Sequence, residues 1–221
     1  RKRPPLPAGA AVYVAMYVVA EAGSLRRPEA YRAIRRALLN VMCRGLIRVV
    51  HVSIQRTHLQ LLVEADDEHQ LARGLQGLQI STARHLNVVL AAEQGRAQPR
   101  RGPVFAGRYH VTVVGSPRQA RSAIAYVLNN WRRHHEHKAG DAARRATVDP
   151  YASGVRFDGW ATPPSVDLPA SYEPLPVALP RSWLLTVGWR RYPLINPREV
   201  PGPDPDAYAS RRRPASRTIP S

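Results

Sequence analysis

Cysteine is nearly absent from this chain. Cys43 stands alone, so no internal disulfide can form, and a reducing cytoplasm suits the composition. Lysine is almost as scarce: of the 33 basic residues only Lys2 and Lys138 are lysines, and the rest are arginines. Arginine grips phosphate with a planar fork and stacks on bases. A GC-rich genome would also favour arginine codons, but it would not create the net excess. Acidic residues number 16, which leaves a formal charge of +17 and a pI near 11.2. Such an excess points to a polyanion, nucleic acid before anionic membrane. Long apolar runs are lacking too. The longest, Ala10 to Ala20, falls far short of the roughly 20 residues of a membrane helix, so no membrane partner is expected. It follows RKRPPLP but is rich in Val and Tyr and has no cleavage-site signature, so it does not read as a signal peptide. The chain begins at Arg1, so native residues are expected to precede it.

Hydrophobic residues make up 44% of the 221, enough for a core. Residues 1–9 form a basic, proline-rich arm. Ala11–Ala20 is β-branched and apolar on both faces, as a central strand is. Pro28 to Cys43 reads as a helix, with Ile34, Leu38 and Val41 at helical spacing. Leu46–Ile54 and His58–Glu64 read as strands, and Glu68–Leu90 as a second helix with Leu71, Leu75, Leu78 and Leu86 inward. A loop dense in Arg, Gly and Pro leads to a short strand at Tyr109–Val114. Ser116 and Pro117 then open a third helix that runs to His134. The expected fold is α+β: a ferredoxin-like βαββαβ sandwich, with an antiparallel sheet, helices on one face and an extra C-terminal helix. The domain should span 10–136. From residue 137 to 221 the chain reads as a proline-rich, mostly irregular extension, because 13 of the 21 prolines lie between Pro163 and Pro220. Two apolar islands in it, Tyr151–Trp160 and Trp183–Trp189, are expected to dock on the domain. RRRPASR near the end reads as a solvated basic tail.

Alternate residues of a strand share a face. His58, Gln60, Leu62 and Glu64 therefore lie together. A two-residue turn at Arg56-Thr57 would align Val50, Val52 and Ile54 with Val63, Leu61 and Leu59, and this register puts His51, Ser53 and Gln55 on the His58 face. Two ligands at i and i+2 on a rigid strand can grip one divalent ion: imidazole suits Mn, Fe or Zn, and an amide oxygen suits Mg or Mn. Tyr126 and Asn130, four apart on the third helix, also share a face. Asn130 is a candidate third ligand beside Tyr126 as nucleophile. A phenol with a pKa near 10 needs help to attack; a metal on the phosphate oxygens supplies it by withdrawing charge from phosphorus. Each feature alone has a plainer reading. A His two residues from a Gln is ordinary hairpin chemistry, and a tyrosine in an amphipathic helix is usually packing.

Five stretches occur in order: YVAMYVV, THLQLLVEA, LARGLQGLQISTARHLN, RGPVFAGRYHVTVV and AIAYVLNNWRRH. Across roughly residues 8–136 the chain resembles the REP-associated tyrosine transposases, a branch of the single-tyrosine, His-hydrophobic-His insertion-sequence transposases. DPYASGVRFDGW and WLLTVGW resemble tails in one branch more loosely. The resemblance implies a ferredoxin-like fold that cuts and rejoins single-stranded DNA beside imperfect hairpins, using a divalent metal and a 5′-phosphotyrosine. It makes Tyr126 the nucleophile and His58, Gln60 and Asn130 the metal set for Mg or Mn. The departure is Gln60, where the family's second histidine belongs. A neutral amide oxygen binds borderline metals less well than imidazole. Three outcomes stay open: weak metal binding through Gln60, compensation by His51, or loss of cleavage with DNA binding kept.

Arg100, Arg101 and Arg108 flank the loop before the short strand, while Arg118, Arg121, Arg132 and Arg133 lie on the last helix. They are the expected contacts to a DNA backbone. Phe105 and Tyr109 are candidates for base stacking, although Phe105 reads first as a core residue; Tyr109 is also a rival nucleophile, but it sits on a strand and lacks a polar ligand at i+4. His134, His135 and His137 could bind adventitious metal; a solvated helix end is the plainer reading. The expected partner is DNA, hairpin or single-stranded and REP-like, bound by a monomer or homodimer in a cytoplasmic, nucleoid-associated setting. A general RNA-binding basic protein is the rival class.

Overall fold

A computed structural model describes residues 6–202. Residues 1–5 of the basic arm and the RRRPASR segment lie outside the described residues. The core elements are β1 (Ala10–Tyr17), α1 (Pro28–Met42), β2 (Arg48–Ile54), β3 (His58–Ala65), α2 (Glu68–Glu93), β4 (His110–Val113) and α3 (Pro117–Arg133). The four strands form one sheet in the order β2-β3-β1-β4, and every pairing is antiparallel.

β1 is buried along almost its whole length because it has a layer on each side. Val12, Val14 and Met16 face a core shared with Ile34, Leu38, Leu75 and Leu78 of α1 and α2. Tyr13 and Ala15 face the other core, with Leu62 and the α3 residues Ile124, Tyr126 and Val127. Helices α1 and α2 thus share one face, and the extra helix α3 closes the second. Local chemistry fixes the helix starts. Asp67 accepts a hydrogen bond from the Gln70 amide at 2.7 Å, and Ser116 accepts one from the Gln119 amide at 3.3 Å.

One expectation about the hairpin fails. Val52 and Ile54 pair with Leu61 and Leu59 as the apolar pattern predicts, but Val49, not Val50, lies opposite Val63. The register shifts between Val49 and His51. A bulge inserts one residue into a strand, and here it turns Val50 to the α3 side, where it packs with Tyr13 and Leu62. His51 then falls opposite Leu62 and Ser53 opposite Gln60, so the polar residues of β2 keep their expected face.

After α3 the chain is mostly irregular, broken by short helical turns such as Asp141–Arg145 and Trp183–Thr186, yet it is held against the domain as far as residue 202. The Ile54 amide donates to the Tyr151 carbonyl, and the Ala178 amide to the Val49 carbonyl, both at 2.8 Å. These bonds cover the β2 edge, which would otherwise offer unpaired backbone groups. The Glu64 carboxylate, at the far end of β3, accepts the Arg181 and Ser182 amides at 2.8 Å each. Trp160 and Trp189 are buried against α3. Gly159 permits this seam, because a Cβ there would collide with the rings of Trp189 and Phe157. Consequently α3 is enclosed on both sides, and every residue from Ala123 to Arg132 is buried.

Candidate functional site

The site lies between α3 and the α3-facing side of the sheet. Tyr126, Asn130 and His134 are spaced by four, one above the next along the helix. His58, Gln60 and Leu62 alternate along β3 on the same side of the sheet. Two ring contacts set their alignment. The rings of His134 and His58 are 5.6 Å apart, and those of Tyr126 and Tyr13 meet edge-on at 5.7 Å. Tyr13 is the cross-strand neighbour of Leu62. A helix climbs about 6 Å in four residues and a strand about 6.6 Å in two. The two rows therefore run in step, with Asn130 at the level of Gln60. The cross-strand neighbours of Gln60 are Ala15 and Ser53, and their small side chains leave room there.

This middle level is polar and sealed. Gln60 is 1% exposed and Asn130 is 0% exposed. Gln60 Oε1 and both amide atoms of Asn130 have no hydrogen-bond partner among the described residues. A buried polar group left unpaired costs about 1–3 kcal/mol, and native proteins keep few of them. Orphaned amide oxygens beside an imidazole fit a divalent ion in chemical type. The set is neutral, however, and among the described residues no group of three or more His, Cys, Asp or Glu could hold a metal. His58, Gln60 and Asn130 would hold Mg or Mn only weakly, since no carboxylate offsets the ion's charge. If this level is kept for a ligand rather than for stability, Asn130→Leu should stabilise the metal-free protein by about 1–2 kcal/mol. Thermal unfolding in a chelator checks this, and a lower Tm would show that the amide is satisfied in the free protein.

Tyr126 and His58 are each 5% exposed. Burial, and then the neighbouring His134, push His58 down to about 4, so its imidazole is neutral at physiological pH. Burial also pushes His134 down. His51 does not join the Gln60 level. It sits one cross-strand level further on, 3.4 Å from Ser153 Oγ through Nδ1 and edge-on to Phe157. Burial lowers it to about 4, with Asp158 opposing.

The arginines divide into two groups. Arg101, Arg108 and Arg118 are exposed. Arg100, at the same loop, donates through Nη1 to Asn87 Oδ1 and to the Pro103 carbonyl at 3.1 Å each. Arg133 is exposed and donates to the Gly202 carbonyl at 3.0 Å. The expectation of a DNA-facing row along α3 fails at Arg121 and Arg132, because both tie down the extension. Arg121 makes a two-pronged pair with Glu199 at 2.7 and 2.8 Å. Arg132 is 7% exposed and donates to the Pro197 and Thr147 carbonyls at 2.7 and 2.8 Å. Tyr109 is half-buried, packed against the α1/α2 core.

An open cavity of about 420 Å³ lies at the His58 end, lined among others by Arg56, Thr57, His58, His134, His135 and Lys138. His134, expected at a solvated helix end, instead stands over His58 at this cavity. The signal that finds it is the continuation of the Tyr126–Asn130 spacing by one more turn.

No family model matches the chain, and no curated protein matches it. Solved structures similar to it include a REP-associated tyrosine transposase bound to a REP hairpin, at 10% identity and a TM-score of 0.47, covering 61% of this chain and 73% of that one. Another is a putative transposase from Deinococcus radiodurans R1, at 14% identity and a TM-score of 0.40, covering 62% of this chain and 97% of that one.

Proposed function

We propose that this protein binds hairpin or single-stranded DNA in the manner of a tyrosine transposase, with the cleavage centre closed. The observation that carries the reading is the state of Tyr126. Tyr126, the candidate nucleophile, lies in the same row as Asn130 and His134 but at the level of Leu62 and Tyr13, and it is 5% exposed and packed on Tyr13. In-line attack needs a phosphodiester within about 3–3.5 Å of the phenol oxygen, and a ring buried between helix and sheet offers no such approach. Gln60 in place of an imidazole weakens the metal set in the same direction. A Mg or Mn ion held by His58, Gln60 and Asn130 would supply charge withdrawal from a phosphodiester.

Binding remains. The formal charge of +17 supports a polyanionic partner; the exposed Arg101, Arg108 and Arg118, together with Arg100 and Arg133, are the proposed backbone contacts. No helix among the described residues is long and apolar enough to cross a membrane; a nucleoid-associated protein of the cytoplasm, acting as monomer or homodimer, belongs to this proposal. The test is competition binding by fluorescence anisotropy. A DNA hairpin with a single-stranded flank should outcompete both plain duplex and structured RNA by at least about tenfold. Its log affinity should fall linearly with log salt, by about 0.7–0.9 per phosphate contact. Equal competition by structured RNA would replace this reading with that of a general RNA-binding protein.

A further inference from the structure

We infer that His58 and His134 together form a transition-metal site at the mouth of the open cavity, with His134 as the second imidazole that β3 does not supply. Two imidazoles on one tetrahedral ion, with metal–nitrogen distances of about 2.1 Å, hold their ring centres roughly 5 Å apart. The observed separation is 5.6 Å, with the ring planes at 72°. His58 is oriented for this use. Its Nδ1 lies 3.3 Å from Thr57 Oγ1, which leaves Nε2 for a ligand, and metal-binding histidines characteristically engage the second nitrogen in this way. Tyr17, 5.0 Å away ring to ring, packs along the same imidazole.

A second, independent observation points into the same place. One helical turn before His134 stands Asn130, and one strand step beyond His58 stands Gln60. Both are buried, and both have amide oxygens without a partner among the described residues. Two imidazoles and two amide oxygens make a four-donor set. Imidazole donors favour Zn, Co or Ni over Mg, so the preference shifts away from the hard ions that amide oxygens alone would take. On the outer side the cavity is bordered by Arg56, Glu136 and Lys138, and Arg56 is paired with Glu136, so the positive charge that an anion bound to the metal would meet comes mainly from Lys138.

The site is read on protein and cation alone, so its test does not depend on the DNA-binding proposal. The untagged full chain, stripped with chelator, is titrated with Co(II) and followed by visible absorption, then with Zn(II) by calorimetry. One Co(II) per chain should give the d–d bands of a low-coordinate nitrogen–oxygen site, and Zn(II) should compete for it. His134→Ala and His58→Ala should each weaken binding at least tenfold. His135→Gly and His137→Asn should leave it within twofold. His135 has a positive φ of 58°, so glycine there removes an imidazole while easing the backbone. Circular dichroism confirms that each variant is folded. Should His134→Ala misfold, His134→Gln keeps the helix end and carries the same expected loss. Binding that survives loss of His134, or that depends equally on His135 or His137, would show an adventitious surface-histidine site and overturn the inference.

Discussion

Arg26→Ala is expected to cost about 3–5 kcal/mol of folding stability, the range for removing one partner of a buried ion pair. Arg26 donates to both carboxylate oxygens of Asp149 at 2.8 Å, and to the Ile54 carbonyl at 3.0 Å. Its guanidinium also lies over the Tyr151 ring at 4.5 Å. The Asp149 side chain is completely buried, so losing the arginine strands a carboxylate out of water. This pair joins the segment before α1 to the first part of the extension and holds Tyr151 against the end of β2. Urea unfolding should therefore show one cooperative transition whose midpoint drops sharply in the variant. Arg26→Met with Asp149→Leu should recover much of the loss, because neither charge is then buried. A loss below about 1 kcal/mol would mean that the extension is only loosely attached.

Acid should begin to destabilise the protein from about pH 6.5 downward, before carboxylates titrate. His51 and His58 are both lowered to about 4 by burial, against about 6.5 in an unfolded chain. Between those values the unfolded state binds more protons than the folded state, so stability rises with pH. The contribution is complete above about pH 6.5 and is lost as pH falls towards 4. A shift of this size corresponds to roughly 3 kcal/mol per histidine. Stability measured by denaturant at pH 7, 6, 5 and 4 should fall steeply through that window. His51→Gln should make the fall shallower, since it removes one of the two imidazoles that burial holds neutral, and Asp158 only partly opposes that burial. A flat profile between pH 6.5 and 4.5 would show that both rings charge freely in the folded protein.

Local chemistry made the domain legible in the sequence. Apolar periodicity, Pro28 and Pro117 at helix starts, and Ser116 as a cap locate the helices to within a few residues. The doubly apolar run of β1 announces a central strand with a layer on each side. The bulge at Val50 was not legible, because Val49 and Val50 are equally apolar and only the packed sheet decides which of them turns inward. Nor was the reach of the extension. Proline-rich composition correctly signals irregular backbone, but irregular backbone can still cover a strand edge, as the bonds to Val49 and Ile54 do. The same blindness hid Arg121 and Arg132, whose partners Glu199 and Pro197 lie 78 and 65 residues further along the chain. At the site, the strand and helix spacings grouped His58 with Gln60, and Tyr126 with Asn130. How α3 is aligned with β3 is a tertiary fact, and it alone brings His134 over His58.

The most direct test of the closed centre is a covalent-adduct assay. Protein is mixed with a hairpin carrying a single-stranded flank, in Mg and in Mn, and resolved under denaturing conditions. Wild type, Tyr126→Phe and Gln60→His are run in parallel, with hairpin binding measured on the same samples. Tight binding by all three proteins is expected, with no DNA–protein adduct from the wild type in either metal. A wild-type adduct that disappears in Tyr126→Phe would contradict the closed centre, because the buried phenol would then be reaching phosphorus.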